Sequence, residues 1–153
     1  MTAIEPFDPQ RVPALRVDHH LPPVPGERLT AQGLRDHFAR PPVWTPEIVR
    51  ELPLPGRQPA EAAVLVPLVM HESRLTLLLT ERGRHLSSHS GQIAFPGGRK
   101  DASDTDLVHT ALREAHEEIG LRDSFVEVLG TLPTYVTGTA FVITPWQRDD
   151  RMQ

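Results

Sequence analysis

Three glutamates fall within five residues in LREAHEEIGL (112–121), the densest reactive chemistry in the sequence. On a helix turning about 100° per residue, with Glu114 at zero, Glu117 lies near about −60° and Glu118 near about +40°. Carboxylates at i, i+3 and i+4 repel one another and weaken a helix left to itself. Such a cluster is ordinarily a solvated acidic face. Two features point elsewhere. The cluster follows a Gly-Gly pair (Gly97, Gly98), and it occupies the interior and C-terminal half of its helix, where the helix dipole disfavours acids. A hard divalent cation, Mg²⁺ or Mn²⁺, would relieve the repulsion because it prefers carboxylate oxygen and water.

The elements that must position these acids follow from pattern. A helix is expected over 105–119, stopped by Gly120. Val108, Leu112, Ala115 and Ile119 cluster at about +100° to +160° on the same wheel, so this stripe is expected to pack on a sheet with the acids opposite. Upstream, 62–71 and 75–81 are rich in Val and Leu and read as two strands that could pair as a hairpin about the polar turn at 72–74. Residues 82–92 read as a polar loop, 93–95 as a short strand and FPGG (95–98) as a sharp turn; 124–132 and 140–144 read as further strands. Twelve of the 16 prolines lie in residues 1–59, which precludes continuous sheet or long helix there. Residues 1–60 are therefore expected to form an arm with short helices at 30–39 and 45–50. A domain over 61–145 and a polar tail over 146–153 follow. Strands, helix, then strands give a mixed α/β or α+β class.

Composition narrows the function classes. The chain has 153 residues, a formal charge of −4 and no cysteine. Disulfides, thiolate nucleophiles and cysteine zinc sites are excluded. The acidic balance argues against a general nucleic-acid binder. The longest apolar run falls far short of the ~20 residues of a membrane span. The N-terminus shows no signal-peptide pattern, and a cytoplasmic location is expected. His85 and His89, four apart, lie in a serine-rich stretch poorly suited to helix and are not read as a metal pair.

Taken together, Gly98, Asp104, Arg113, Glu114, Glu117, Glu118, Gly120 and Leu121 resemble the signature of the Nudix hydrolases. The strict positions of its second half (Arg113, Glu114, Glu117, Glu118 and Gly120) all match. In the first half, the spacing from Gly98 to Arg113 is one residue longer than usual, and Asp104 stands where Glu is usual. Residues 77–98 are similar to a second signature, that of coenzyme A pyrophosphatases. Leu78, Leu79, Thr80, Arg82, Gly91, Phe95, Pro96, Gly97 and Gly98 fit it; Gly83 and Ser87 depart from it, Ser87 standing in place of an Arg.

The resemblance implies an α/β/α sandwich with a mixed sheet and a second helix near the C-terminus. The sequence after residue 145 holds no apolar period for another strand and helix. A truncated domain is therefore expected, with one sheet face uncovered and prone to association, for example as a homodimer. The resemblance also implies metal-dependent hydrolysis of a nucleotide small molecule. Coenzyme A or acyl-coenzyme A would yield 4′-phosphopantetheine and adenosine 3′,5′-bisphosphate. Glu114, Glu117 and Glu118 would hold Mg²⁺ or Mn²⁺. Glu117, or a residue outside the motif, would help deprotonate the attacking water. Arg113 would orient the glutamates through salt bridges. Gly97 and Gly98 would let the backbone turn and approach metal or phosphate. Arg82, Arg84, Arg99 and Lys100 are candidates for the substrate's additional phosphate.

Overall fold

The computed structural model describes residues 13, 19–46, 50–51, 56, 58–71, 74–81, 91–137 and 141–151, the last stretch by its backbone. Its axis is strand β1 (Ala60–Met70), whose Val and Leu content suits extended backbone. β1 pairs antiparallel with β2 (Leu75–Leu77) at one end and with β5 (Gly97–Arg99) at the other. Along its other side runs β8 (Phe141–Arg151), parallel to it over eleven pairs from Ala60↔Phe141 to Met70↔Arg151. β6 (Val126–Thr131) and β7 (Tyr135–Val136) pair antiparallel with β8. A separate two-stranded ribbon joins β3 (Thr80–Glu81) to β4 (Ile93–Ala94). The class is mixed, as expected, with one parallel pair inside a largely antiparallel sheet.

Both strand prolines fall where a neighbour is interrupted. Pro67 lies between the β1 residues paired to β5 (62–64) and those paired to β2 (68–70). Pro145 lies between the β8 residues paired to β7 (142–143) and those paired to β6 (146–150). A residue without an N–H is tolerated at such gaps.

Helix α2 (Leu107–Ile119) packs on one face of the sheet. Its Ala111 and Ala115 meet Ala63 and Leu65 of β1, all four with no exposed surface. Asp106 caps its first turn by accepting from the His109 N–H at 2.8 Å, and Gly120 ends it in the left-handed region at φ 70°. The packed stripe is shifted from the expected one, of which Ala115 is buried and Val108 and Leu112 are half-buried. Thr110, Ala111 and Ala115 are buried, whereas Ile119 is 36% exposed. The helix has turned its small residues to the sheet, because β5 opposes it with glycine and the two backbones can approach. That rotation brings Glu114 against the sheet rather than away from it.

Several other expectations are corrected. The stretch 75–81 splits into β2 and β3, which belong to different sheets. Gly97 and Gly98 form strand β5, not a sharp turn; among the described residues the glycines of positive φ are Gly56, Gly91 and Gly120. The polar tail is strand as far as Arg151, because its backbone pairs with both β1 and β6 and needs no apolar period of its own. The helix expected over 45–50 falls partly on residues 47–49, outside the described residues.

The second helix layer also comes from an unexpected place. Leu65 faces α2, so Val66 faces away; in the sheet register Val66 aligns with Gly130 through Gln147. A Cβ on Gly130 would lie 2.6 Å from Cδ1 of Phe38. Helix α1 (Ala31–Ala39), capped by Thr30, therefore sits on the face opposite α2. Arg35 fastens it to Glu127 of β6 through two hydrogen bonds, at 2.9 and 2.7 Å. The expectation of an open sheet face fails along β1, where Ala62, Val66 and Leu68 on that side are 5–7% exposed.

Candidate active site

The site is built outward from Arg113. Its side chain engages Asp104 with two parallel bonds, Nε to Oδ1 and Nη2 to Oδ2, both 3.0 Å. Nη2 also donates to the Arg99 carbonyl at 3.1 Å. Nη1 donates to Glu114 Oε1 at 3.0 Å and to Glu117 Oε2 at 3.2 Å. A guanidinium has five N–H groups, and these five contacts engage all of them. No donor remains for substrate, so the geometry makes Arg113 a brace between the loop before α2 and two of its glutamates.

Asp104 is the buried end of that brace, with a side chain 0% exposed. It also accepts from the Asp101 N–H at 2.8 Å and faces His109 Nδ1 at 3.0 Å. Hydrogen bonding from Arg113, above all, holds its carboxyl well below the usual carboxylate range against the opposing effect of burial. In return the Asp104 bonds, followed by those to Glu114 and Glu117 once desolvation is offset, raise the Arg113 guanidinium above its ordinary value. The pair is ionised at any physiological pH.

Glu114 occupies a cradle that only glycine can provide. A Cβ on Gly98 would lie 2.5 Å from both Cδ and Oε1 of Glu114 and 2.7 Å from Oε2, inside any real contact distance. Gly97 does the same for the sheet, since a Cβ there would lie 2.7 Å from Cα of Val64. The two glycines act by close approach, not by turning the chain. Glu117 is more open, at 57% side-chain exposure. Glu118, also exposed, is one helical turn beyond Glu114.

The remaining expected site residues divide. Arg99 contributes its carbonyl, while its side chain is exposed. Lys100 donates its N–H to the Glu61 carbonyl at 2.9 Å and sets Nζ 3.6 Å from Glu61 Oε2. Arg82 and Arg84 lie outside the described residues, as does Ser87. Sequence reasoning did not find His109. Its only signal is a place five residues after Asp104, a spacing with no helical meaning because Asp104 precedes the helix.

Among the described residues, no three His, Asp or Glu side chains form an assembled cation cage. The donor set nevertheless suits a hard divalent ion. It offers carboxylate oxygens at i, i+3 and i+4, one of them held in a side-chain-free cradle beside the sheet.

A model of the NUDIX domain matches residues 40–152. The chain belongs to the Nudix domain family. A Pectobacterium atrosepticum protein named "Uncharacterized Nudix hydrolase NudL" is 43% identical to it over 116 residues, covering 76% of this chain and 58% of that protein. A protein of the same name from Escherichia coli O6:H1 is 46% identical over 112 residues, covering 73% and 56%. The chain thus spans little more than half the length of these curated Nudix relatives. The crystal structure of a Nudix hydrolase from M. Smegmatis, RenU, matches with a TM-score of 0.51 at 26% identity, over 61% of this chain and 63% of that one. The NUDIX domain of Shewanella oneidensis NrtR, solved with ADP ribose, shares the fold at a TM-score of 0.50 and 21% identity, over 77% and 71%. No helix among the described residues is long and apolar enough to cross a membrane.

Proposed function

We propose that this Nudix chain carries the reactive centre of a metal-dependent diphosphatase acting on coenzyme A or acyl-coenzyme A, with 4′-phosphopantetheine and adenosine 3′,5′-bisphosphate as products. The observation that carries the reading is the brace. One arginine, with every N–H engaged, ties a buried aspartate to two glutamates, and glycine clears the space for one of them. A solvated acidic face would need neither the brace nor the glycine that clears space for Glu114. Glu114, Glu117 and Glu118 would hold Mg²⁺ or Mn²⁺, which when bound lowers the pKa of a water ligand and screens the diphosphate oxygens. Arg113 keeps Glu114 and Glu117 at a set separation, which limits the reorganisation needed as charge develops on the diphosphate. Glu117, the more open of that pair, or a residue outside the motif would take a proton from the attacking water. The coenzyme A assignment draws on the match of residues 77–98 to the second signature. Arg82, Arg84, Arg99 and Lys100 are proposed for the extra phosphate, a cytoplasmic setting for the protein, and a second copy of the chain as a partner.

Ser87, standing where that signature has Arg, favours a second reading, in which the substrate is another nucleoside diphosphate derivative such as NADH or ADP-ribose. Incubation of the purified chain and Mg²⁺ with coenzyme A, NADH and ADP-ribose, followed by product analysis, separates the two. Cleavage of coenzyme A to the two named products supports the first reading; cleavage of NADH without coenzyme A supports the second. Metal-dependent binding without cleavage of any would leave a binding module. Glu118→Gln is expected to lower turnover on the order of 100-fold, about 2.7 kcal/mol of barrier, at unchanged thermal stability. Near-normal turnover in that variant would remove Glu118 from the metal site.

A further inference from the structure

We infer that His109 is a positioning residue for Glu114 and Glu117, acting through Asp104 and Arg113. This rests on the reading of those glutamates proposed above.

A carboxylate offers about four acceptor sites. At Asp104 they serve Arg113 Nε, Arg113 Nη2 and the Asp101 N–H, with His109 Nδ1 on Oδ1 at 3.0 Å and the Thr110 side chain beside them. Oδ1 is shared between Arg113 Nε and His109 Nδ1, so the imidazole fixes where that oxygen points and therefore how the guanidinium lies in the carboxylate plane. An ionised carboxylate only accepts, so Nδ1 carries the proton. The imidazole is itself aimed from its backbone. The His109 N–H donates to the capping carboxylate of Asp106 at 2.8 Å, and His109 is the third residue of α2.

The consequence is transmitted along one path. Arg113 Nη1 is what joins Asp104 to Glu114 and Glu117, at 3.0 and 3.2 Å. Without the imidazole, Asp104 Oδ1 exchanges a donor of fixed position, which seals the carboxylate from solvent, for mobile water. The carboxylate then rotates toward its remaining donors, Arg113 follows, and the separation of the two glutamates is no longer set. The imidazole is half exposed at 50%, so its removal leaves no closed cavity in the core.

The test compares His109→Ala with His109→Asn, whose side-chain N–H can occupy the place of Nδ1–H. In the metal-free chain, solvent exchange of the Arg113 Nε–H, followed by nuclear magnetic resonance, is expected to accelerate at least about threefold in the alanine variant and to stay near wild type in the asparagine variant. Mn²⁺ affinity, measured by water proton relaxation, is expected to fall about 3- to 10-fold with alanine and to recover with asparagine. That is less than the effect of losing a direct partner of a metal ligand. Far-UV circular dichroism checks that both variants fold. Wild-type exchange and affinity in the alanine variant would overturn the inference. So would equal losses in both variants, because the donor would then not be what matters. A wild-type chain that binds no Mn²⁺ would instead overturn the metal reading, and the arginine exchange rates would still decide whether His109 holds the brace.

Discussion

Two arginines in this chain make the same bidentate contact with a carboxylate, on opposite faces of one sheet. Arg113 holds Asp104 at 3.0 and 3.0 Å beneath α2, and Arg35 holds Glu127 at 2.9 and 2.7 Å beneath α1. The two arginine side chains are equally covered, each 22% exposed. The acids differ: Asp104 is 0% exposed and Glu127 45%. Water competes for Glu127 and screens its charge, whereas Asp104 has given up its hydration and depends on protein donors alone. The shorter contacts of the Arg35 pair therefore do not make it the stronger anchor. The rest of each helix agrees. α2 buries Thr110, Ala111 and Ala115, and α1 buries no residue fully. The buried pair belongs to the helix that carries the acids, and the exposed one to the helix that covers the other face.

The largest effect expected from breaking this contrast is at Asp104. Asp104→Asn should cost about 3 kcal/mol of unfolding free energy at pH 7, because it removes the buried anion that two Arg113 N–H groups hold and turns an amide N–H₂ toward those donors. Urea denaturation measures it. The dependence on pH has a definite sign. The Asp104 carboxyl titrates lower in the folded chain than in the unfolded one, so its stabilisation is complete above the unfolded value of about 4 and drains away as pH falls below it. The gap between wild type and Asp104→Asn should therefore narrow from pH 5 toward pH 2 (values from about 5 to about 2). A gap that is small at pH 7, or indifferent to pH, would remove the distinction between the two pairs.

Next in size is Gly98→Ala, which tests the cradle rather than the brace. The methyl group displaces the Glu114 carboxylate and should lower Mn²⁺ affinity about tenfold, as loss of a positioned ligand environment does. Thermal unfolding should shift by only a few degrees, since the β1–β5 pairing survives. Retained affinity would show that Glu114 has another place to go. The smallest effect belongs to Glu127→Gln, at under about 1 kcal/mol, fading in about 1 M salt. A cost as large as that of Asp104→Asn would mean that burial does not govern these pairs.

Much of this was legible in sequence, and unevenly so. The helix and its stop were, because Gly120 and the acid pattern are local signals. So were β1, from its apolar run, and α1, from Leu34 and Phe38 falling four residues apart on one face. The face that α2 packs was read a fraction of a turn away, with Ala115 right and Ile119 wrong, because periodicity ranks residues by hydrophobicity. The deciding factor was instead how closely a helix can approach a strand made of Gly97 and Gly98. The strand through Gln147, Arg148 and Asp149 was missed for a related reason: it is held by backbone pairing on both sides, which side-chain pattern does not encode. His109 carried no signal that helical spacing could read, since its partner Asp104 lies outside the helix and is brought to it only by the turn at 101–106.

By itself, then, the order of residues determined that three acids share one turn of helix, that an arginine precedes them, and that two glycines lie upstream. Those are facts of spacing along a single element, and 3.6 residues per turn converts them directly into a face. Tertiary structure alone decided that Gly98 clears the space for Glu114, that Asp104 is sealed from water, and that the arm's α1 lies over the far side of the sheet. Each of those depends on the distance between segments remote in the chain, which is set by packing and by the desolvation of charge.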